Sequence, residues 1–182
     1  MAEIALKVAK SEVWDEVAKT TAYTGDKMIG EESDGAYERI LITDEDQKVL
    51  QRFWEEASAV ANEQLKEMLT TSSAMTSDYN VKLHVSNAYD TILNSSVEAA
   101  LRSYFIAAIV ARWCKFANKS EQDNYANEAA AMMEDVRRKL YSRKRPRRPN
   151  RENNPNIAKP WRPDISVHPF DPEPISDMDN NT

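Results

Sequence analysis

The stretch VEAALRSYFIAAIVARWCKF, from Val97 to Phe116, decides the fold of this chain. It is predicted to form a helix capped by Ser95 or Ser96, with apolar side chains on nearly every side. A helix with this pattern has to be covered by other elements, so it is expected at the centre of the domain. Its longest uncharged segment, 103–111, is far shorter than the roughly 20 residues that span a bilayer, and no membrane contact is predicted.

Two helices are predicted before the central one, because apolar residues recur there at three- and four-residue spacing. The first opens at Ser11, its predicted N-cap, and fades near Gly25. The second opens with a capping box of Thr43 and Asp46 and continues to about Leu69. Both are amphipathic, as helices of a small bundle are.

The last helix is predicted from Ser120 to Arg145, and Pro146 ends it. All eight prolines lie at or after Pro146, and residues 36–145 contain neither proline nor glycine. Because these two residue types most often break helices, the chain divides into a helical body and a proline-punctuated tail. The predicted divisions are an N-terminal arm 1–10, a helical bundle 11–145 and an extended tail 146–182.

Strand-like alternation of apolar and polar residues is limited to two short segments. The alternating apolar residues are Ile4, Leu6 and Val8 in the N-terminal arm, and Val81, Leu83 and Val85 farther along. Such an arm is expected to pair with a neighbouring subunit, whereas 70–80 is predicted to be a loop. The predicted fold class is therefore all-α: a small bundle of about four helices with a minor β element and a long extended C-terminal arm.

Residues able to carry chemistry are few. Cys114 stands among apolar neighbours, so a small buried side chain is expected rather than a reactive thiol. His84 is expected to face solvent and His168 lies in the tail, so these histidines and the cysteine form no metal cluster. The glycines lack the spacing of a phosphate-binding loop. No catalytic, cofactor-binding or metal-binding residue is predicted, no cofactor is expected, and the chain is not expected to be an enzyme.

The net charge of −6 conceals three differently charged segments. Residues 1–136 carry −11, residues 137–151 carry +9 and residues 152–182 carry −4. The nine cations of the middle segment, here called the basic collar, are Arg137, Arg138, Lys139, Arg143, Lys144, Arg145, Arg147, Arg148 and Arg151. About three would complement a helix dipole, so contact with an anionic partner is predicted. That partner is either phosphate or the carboxylates of another protein.

The tail after the basic collar carries large apolar residues, in which a merely solubilising tail would be poor. The predicted partner-binding residues are Ile157, Trp161, Ile165, Val167 and Phe170. Trp161 lies in the segment KPWRP, 159–163, which is typical of an anchor on a stiff strut because proline lowers the entropy lost on docking. The tail is therefore expected to bind a partner surface.

A resemblance to a known family rests on the last two predicted helices. The central helix opens with SVEAAL (96–101) and closes with WCKF (113–116), and the last helix carries MMEDVRRKL (132–140) before a basic, proline-rich extension. Over about Thr43 to Pro149, this arrangement resembles the head-to-tail connector, or adaptor, proteins of tailed bacteriophages.

The resemblance implies a structural protein of the virion neck, assembled in the host cytoplasm. Subunits of such proteins form a homo-oligomeric ring, typically of twelve copies, beneath the portal protein. The ring joins the portal to a tail or stopper protein and lets DNA pass. The C-terminal extension would reach the portal, and the collar residues 143–148 would face the portal or the channel.

Two alternatives remain at this point. A nucleic-acid-associated helical protein would use the basic collar for non-specific phosphate binding, since nothing in the body resembles a recognition helix. A small helical enzyme would instead gather titratable side chains without a linear motif. Salt titration separates the first alternative from a connector, because affinity for phosphate falls steeply with salt.

Overall fold

The structure is a computed structural model that describes residues 2–28, 42, 46–73, 75–117 and 119–144. The helices are α1 (Lys10–Met28), α2 (Gln47–Gln64), α3 (Asn94–Ala117) and α4 (Lys119–Leu140), and the strands are β1 (Ala2–Val8), β2 (Leu69–Ser72) and β3 (Tyr79–Val85). The predicted bundle of about four helices with a minor β element is confirmed for these residues. The chain divides into two units, Met1–Lys144 and Arg145–Thr182. The second unit, with the predicted extended arm, lies outside the described residues.

Helix α3 is the centre of the first unit, as its apolar pattern predicts. Helices α1, α2 and α4 and strand β1 all pack on it. Leu101, Phe105 and Ile109 are fully buried along its length, and their removal from water is a main stabilising contribution to the fold. The ring of Phe105 stacks on Trp54 of α2, with 4.6 Å between ring centroids. None of the described helices, α3 included, is long and apolar enough to cross a membrane.

The three strands form one antiparallel sheet in the order β1, β3, β2. Strand β1 pairs with β3 along its whole length, from Ala2 opposite Val85 to Val8 opposite Tyr79. The alternation that predicts these strands separates a buried face from an exposed one. The buried residues are Ile4, Leu6, Val8, Val81, Leu83 and Val85.

Two predictions about β structure differ from what is observed. The arm expected to pair with a neighbouring subunit is instead strand β1, which pairs with β3 of its own chain because both strands turn an apolar face to the same core. Residues 70–80, predicted to be a loop, include most of strand β2. Its Thr-Thr-Ser segment is exposed at an edge of the sheet, so hydrophobic periodicity carries no signal there.

The beginning of α1 is set by a tertiary contact. The helix starts at Lys10, one residue before the predicted N-cap Ser11, and it continues past Gly25 to Met28. The Lys10 amide donates to Oδ1 of Asp78 at 3.1 Å. A carboxylate distant in the sequence therefore serves one of the amides that a helix leaves without an internal partner.

The second helix is shorter than predicted. It starts at Gln47, with Asp46 at the N-cap position but without a side-chain capping bond, and it ends at Gln64 rather than near Leu69. Thr43, the other member of the predicted capping box, lies outside the described residues. Helix α2 is therefore roughly 27 Å long at 1.5 Å per residue.

The ends of α3 and α4 also depend on contacts that periodicity does not report. A 3₁₀ turn at Thr91–Leu93 precedes α3, and Asp90 caps this turn by accepting from the Ile92 amide at 3.3 Å. Helix α4 ends at Leu140, before the predicted Arg145. The Lys144 amide donates to the backbone oxygen of Ala88 at 2.7 Å. The residues that directly follow α4, up to Lys144, are therefore attached to the loop before α3.

Candidate interaction groove on the central helix

Helix α3 has four sides, which can be followed at 100° per residue. On the α1 side, Nη1 of Arg102 donates to Glu12 at 3.2 Å, and on the α2 side lies the stacked ring of Phe105. On the α4 side, Nζ of Lys139 donates to the backbone oxygen of Ser96 at 3.3 Å. On the remaining side, between α2 and α4, Tyr104, Ala108 and Ala111 are buried by the flanking helices, and a surface groove lies over them.

This groove has a volume of about 570 Å³. Its floor is helix α3 and its walls are helices α2 and α4. The floor residues are Tyr104, Ala108, Ala111, Arg112 and Lys115; the walls consist of Glu56, Val60 and Gln64 from α2, and of Gln122, Ala126, Ala129, Ala130, Met133, Glu134 and Arg137 from α4. We call these residues the α3 groove.

Alanines contribute five of the twelve residues that form the α4 wall and the floor of the α3 groove. Ala126 and Ala130, one turn apart on α4, are exposed, and Val60 on the opposite wall is 39% exposed. The distance between two packed helices depends on the side chains at their contact. A second chain that enters the groove would therefore meet small side chains on α4 and Val60 on α2.

The charges of the α3 groove are partly compensated within the domain. Nε of Arg112 donates to Oε2 of Glu56 at 3.1 Å, and its Nη1 donates to the backbone oxygen of Ala108 at 3.0 Å. Nη1 of Arg137 lies 4.0 Å from Oε2 of Glu134. Lys115 is exposed and makes no ion pair or hydrogen bond with another described residue. One end of the groove therefore presents an uncompensated positive charge.

Burial keeps two titratable side chains near the groove uncharged. It raises the pKa of Tyr104 to about 12, and the phenol donates to the backbone oxygen of Ala57 at 3.1 Å. It raises the pKa of the Cys114 thiol to about 11, and this side chain is 1% exposed. The prediction of a small buried cysteine is thus confirmed, as is the exposure of His84. Among the described residues, no group of three potential ligands could hold a metal ion.

Most described cations of the basic collar are paired within their own chain. Arg138 and Lys139 both form ion pairs with Asp135. Lys144 pairs with Asp90 at 3.5 Å, whereas Arg143 is exposed and has no partner among the described residues. The pairs on α4 form because carboxylates precede cations by three or four residues, which places them on one helix face.

The other predicted contact residues fall in the second unit. They are the collar residues Arg145, Arg147, Arg148 and Arg151, and the tail residues Ile157, Trp161, Ile165, Val167 and Phe170, all of which lie outside the described residues. Their roles stay predictions. Arg143 and Lys144 are described, and they differ in their partners. Lys144 forms an ion pair with Asp90, whereas Arg143 forms none with another described residue.

Sequence reasoning does not find the α3 groove. The sequence does contain residues of the groove at helical spacing: Ala126 and Ala130 of the last helix are one turn apart, as are Ala108 and Arg112 of the central one. Alanine at such spacing is equally typical of an ordinary helix, since it has the highest helix propensity. Only the positions of α2 and α4 show which of these alanines line a groove.

Comparisons with known proteins do not assign the chain to a family. No family model, curated protein or solved structure matches it. Its function is therefore inferred from the α3 groove, from the distribution of charge and from the pattern of the tail.

Proposed function

We propose that this chain is a structural subunit of an oligomeric ring at the neck of a tailed bacteriophage, where it joins the portal to the tail and lets DNA pass. It acts by assembly rather than by catalysis. The observation that carries the proposal is the groove over α3, at which Val60 of α2 and Ala126 and Ala130 of α4 are exposed. Exposed apolar side chains grouped beside a surface groove are typical of an interaction site.

The α3 groove would form one part of a larger contact with the partner. A specific protein interface buries roughly 800 Å² on each partner. Such an interface has an apolar centre and a polar rim. In the α3 groove, the alanines and Val60 supply the centre, and Glu56, Glu134 and Lys115 supply charged groups at the rim.

The second part of the proposal concerns the C-terminal tail. In a ring of about twelve copies, as the resemblance implies, each tail would reach a portal subunit and dock through Trp161 and its apolar neighbours. Tethering to the ring raises the effective concentration of every tail near the portal. The phage neck itself is supported by the sequence resemblance over about Thr43 to Pro149.

Native mass spectrometry of the full chain, alone and with a portal protein, tests this proposal. We expect a ring of defined size that binds the portal, and we expect the W161A variant to form the ring but to bind the portal at least about tenfold more weakly. A chain that stays monomeric at all concentrations, with and without the portal, contradicts the proposal. A chain that forms no ring and binds DNA with an affinity that falls steeply with salt would instead favour a phosphate-binding protein.

A further inference from the structure

We propose that the α3 groove of one subunit receives helix α1 of the next subunit, as the repeated side-by-side contact of the ring. This inference rests on the proposed function, because it names the two surfaces through which the proposed ring would close. A different occupant, such as a helix of another protein, is an outcome of the test below.

The two surfaces lie on opposite sides of the central helix. Arg102 and Ile106 of α3 line the contact with α1, whereas Ala108 and Ala111 form the floor of the α3 groove. At 100° per residue, the direction midway between the first pair is about 170° from the direction midway between the second pair. A surface and its complement on opposite sides of a subunit give a head-to-tail contact, which generates a ring when the rotation between subunits closes and an open filament when it does not.

The outer face of α1 carries several acidic side chains. Glu12, Asp15 and Glu16 are exposed and make this face acidic. Glu12 pairs with Arg102, and Glu16 pairs with Lys19. Asp15 makes no ion pair within 4 Å and no hydrogen bond with another described residue, although its charge acts on Lys19 one turn along the helix.

The unpaired carboxylate therefore matches the unpaired cation of the groove. Asp15 lies on α1, and Lys115 lies at one end of the α3 groove on the opposite side of the same domain. Complementary charges across an interface fix its register and suppress wrong pairings. In the ring, Asp15 of one subunit would meet Lys115 of the next.

The apolar part of α1 also suits an alanine-lined groove. Ala22 lies seven residues after Asp15, which places both on the same helix face, and Tyr23 beside it is 63% exposed. Small residues on both helices allow a close approach, and an aromatic ring at the edge adds contact area at low entropic cost.

A charge-exchange experiment on the full chain tests this pairing. We expect D15K and K115E each to weaken ring assembly by at least tenfold in native mass spectrometry at low salt, and we expect the D15K/K115E double variant to recover assembly. E128K is the control, since Glu128 is exposed on α4 outside the groove. Single variants that assemble like the wild type, or a double variant that stays weak, overturn the pairing.

A steric test uses two adjacent positions on α4. Ala130 lines the groove, whereas Ala131 is also exposed but does not line it. We expect A130W to abolish the ring and A131W to leave it intact, with the same thermal unfolding temperature for both monomers. Rings that persist in A130W overturn this inference but leave the proposed function standing. A wild type that is monomeric with and without the portal overturns both.

Discussion

The backbone amide of Lys10 donates a hydrogen bond to Oδ1 of Asp78 at 3.1 Å, which joins the first turn of α1 to the loop before β3. The two residues are 68 positions apart. A helix start that the sequence assigns to the neighbouring Ser11 is thus completed by a distant carboxylate. The contact also lies close to the sheet in the chain, since only Ala9 separates α1 from strand β1.

The role of Asp78 predicts an unequal effect of two alanine substitutions. D78A should lower the free energy of unfolding by about 1 kcal/mol, the usual cost of losing a helix cap. S11A should change it by about 0.5 kcal/mol or less, as is typical of an exposed position. Urea denaturation followed by circular dichroism measures both. A larger loss for S11A than for D78A would show that the local cap dominates.

The hydroxyl of Tyr104 should contribute measurably to stability. Y104F removes the buried donor to the Ala57 oxygen without changing the shape of the ring, and we expect a loss of about 1 kcal/mol in the free energy of unfolding. The matched control is Y141F, because it removes an exposed hydrogen bond, from the Tyr141 hydroxyl to Oε2 of Glu67 at 3.1 Å. Equal effects of the two substitutions would contradict a stabilising role for the buried bond.

The pKa of Tyr104 also predicts how stability depends on pH. Burial raises this pKa from 10.0 to about 12 in the folded protein. The stabilisation that Tyr104 provides is therefore complete below pH 10 and is lost as the pH rises toward 12. The free energy of unfolding should fall less steeply over this range in Y104F than in the wild type. Tyr79, whose pKa is also raised by burial, should leave some slope in the variant.

Cys114 should react with thiol reagents only when the protein opens. Its pKa of about 11 keeps the thiol protonated at neutral pH, and its side chain is buried. We expect labelling by a disulfide reagent near pH 8 to be at least about a hundredfold slower than in urea. In the A131C variant, the added exposed cysteine should react at once. Fast labelling of the folded wild type would contradict the burial.

Asp135 should restrain the charge of the basic collar. It accepts from Lys139 and Arg138, and these bonds hold its pKa below the ordinary value. We expect D135N in the full chain to bind duplex DNA more tightly than the wild type at about 50 mM salt, with a smaller difference at about 200 mM. E128Q removes one negative charge from the same helix without freeing a collar cation, and it should bind as the wild type does. Equal binding by D135N and the wild type would contradict this role.

Local pattern was sufficient for the features that depend on a single segment. The run from Val97 to Phe116 predicts a central helix, and α3 is central because every helix and strand that meets it buries part of that apolar surface. The alternation around Val81, Leu83 and Val85 predicts β3 for the same reason. Burial of Cys114 follows from its neighbours.

Features that depend on two distant segments were decided only by the tertiary structure. Asp78 caps α1, Asp90 neutralises Lys144, and β1 pairs with β3 because the fold brings these groups together, while no periodicity links them. The α3 groove also depends on distant segments, since residues of α2, α3 and α4 line it. Hydrophobic periodicity reports how much of a helix is apolar, but the position of the groove is set by where α2 and α4 pack. The sequence by itself therefore determined that α3 would be central, and the packing of its neighbours decided where the groove lies.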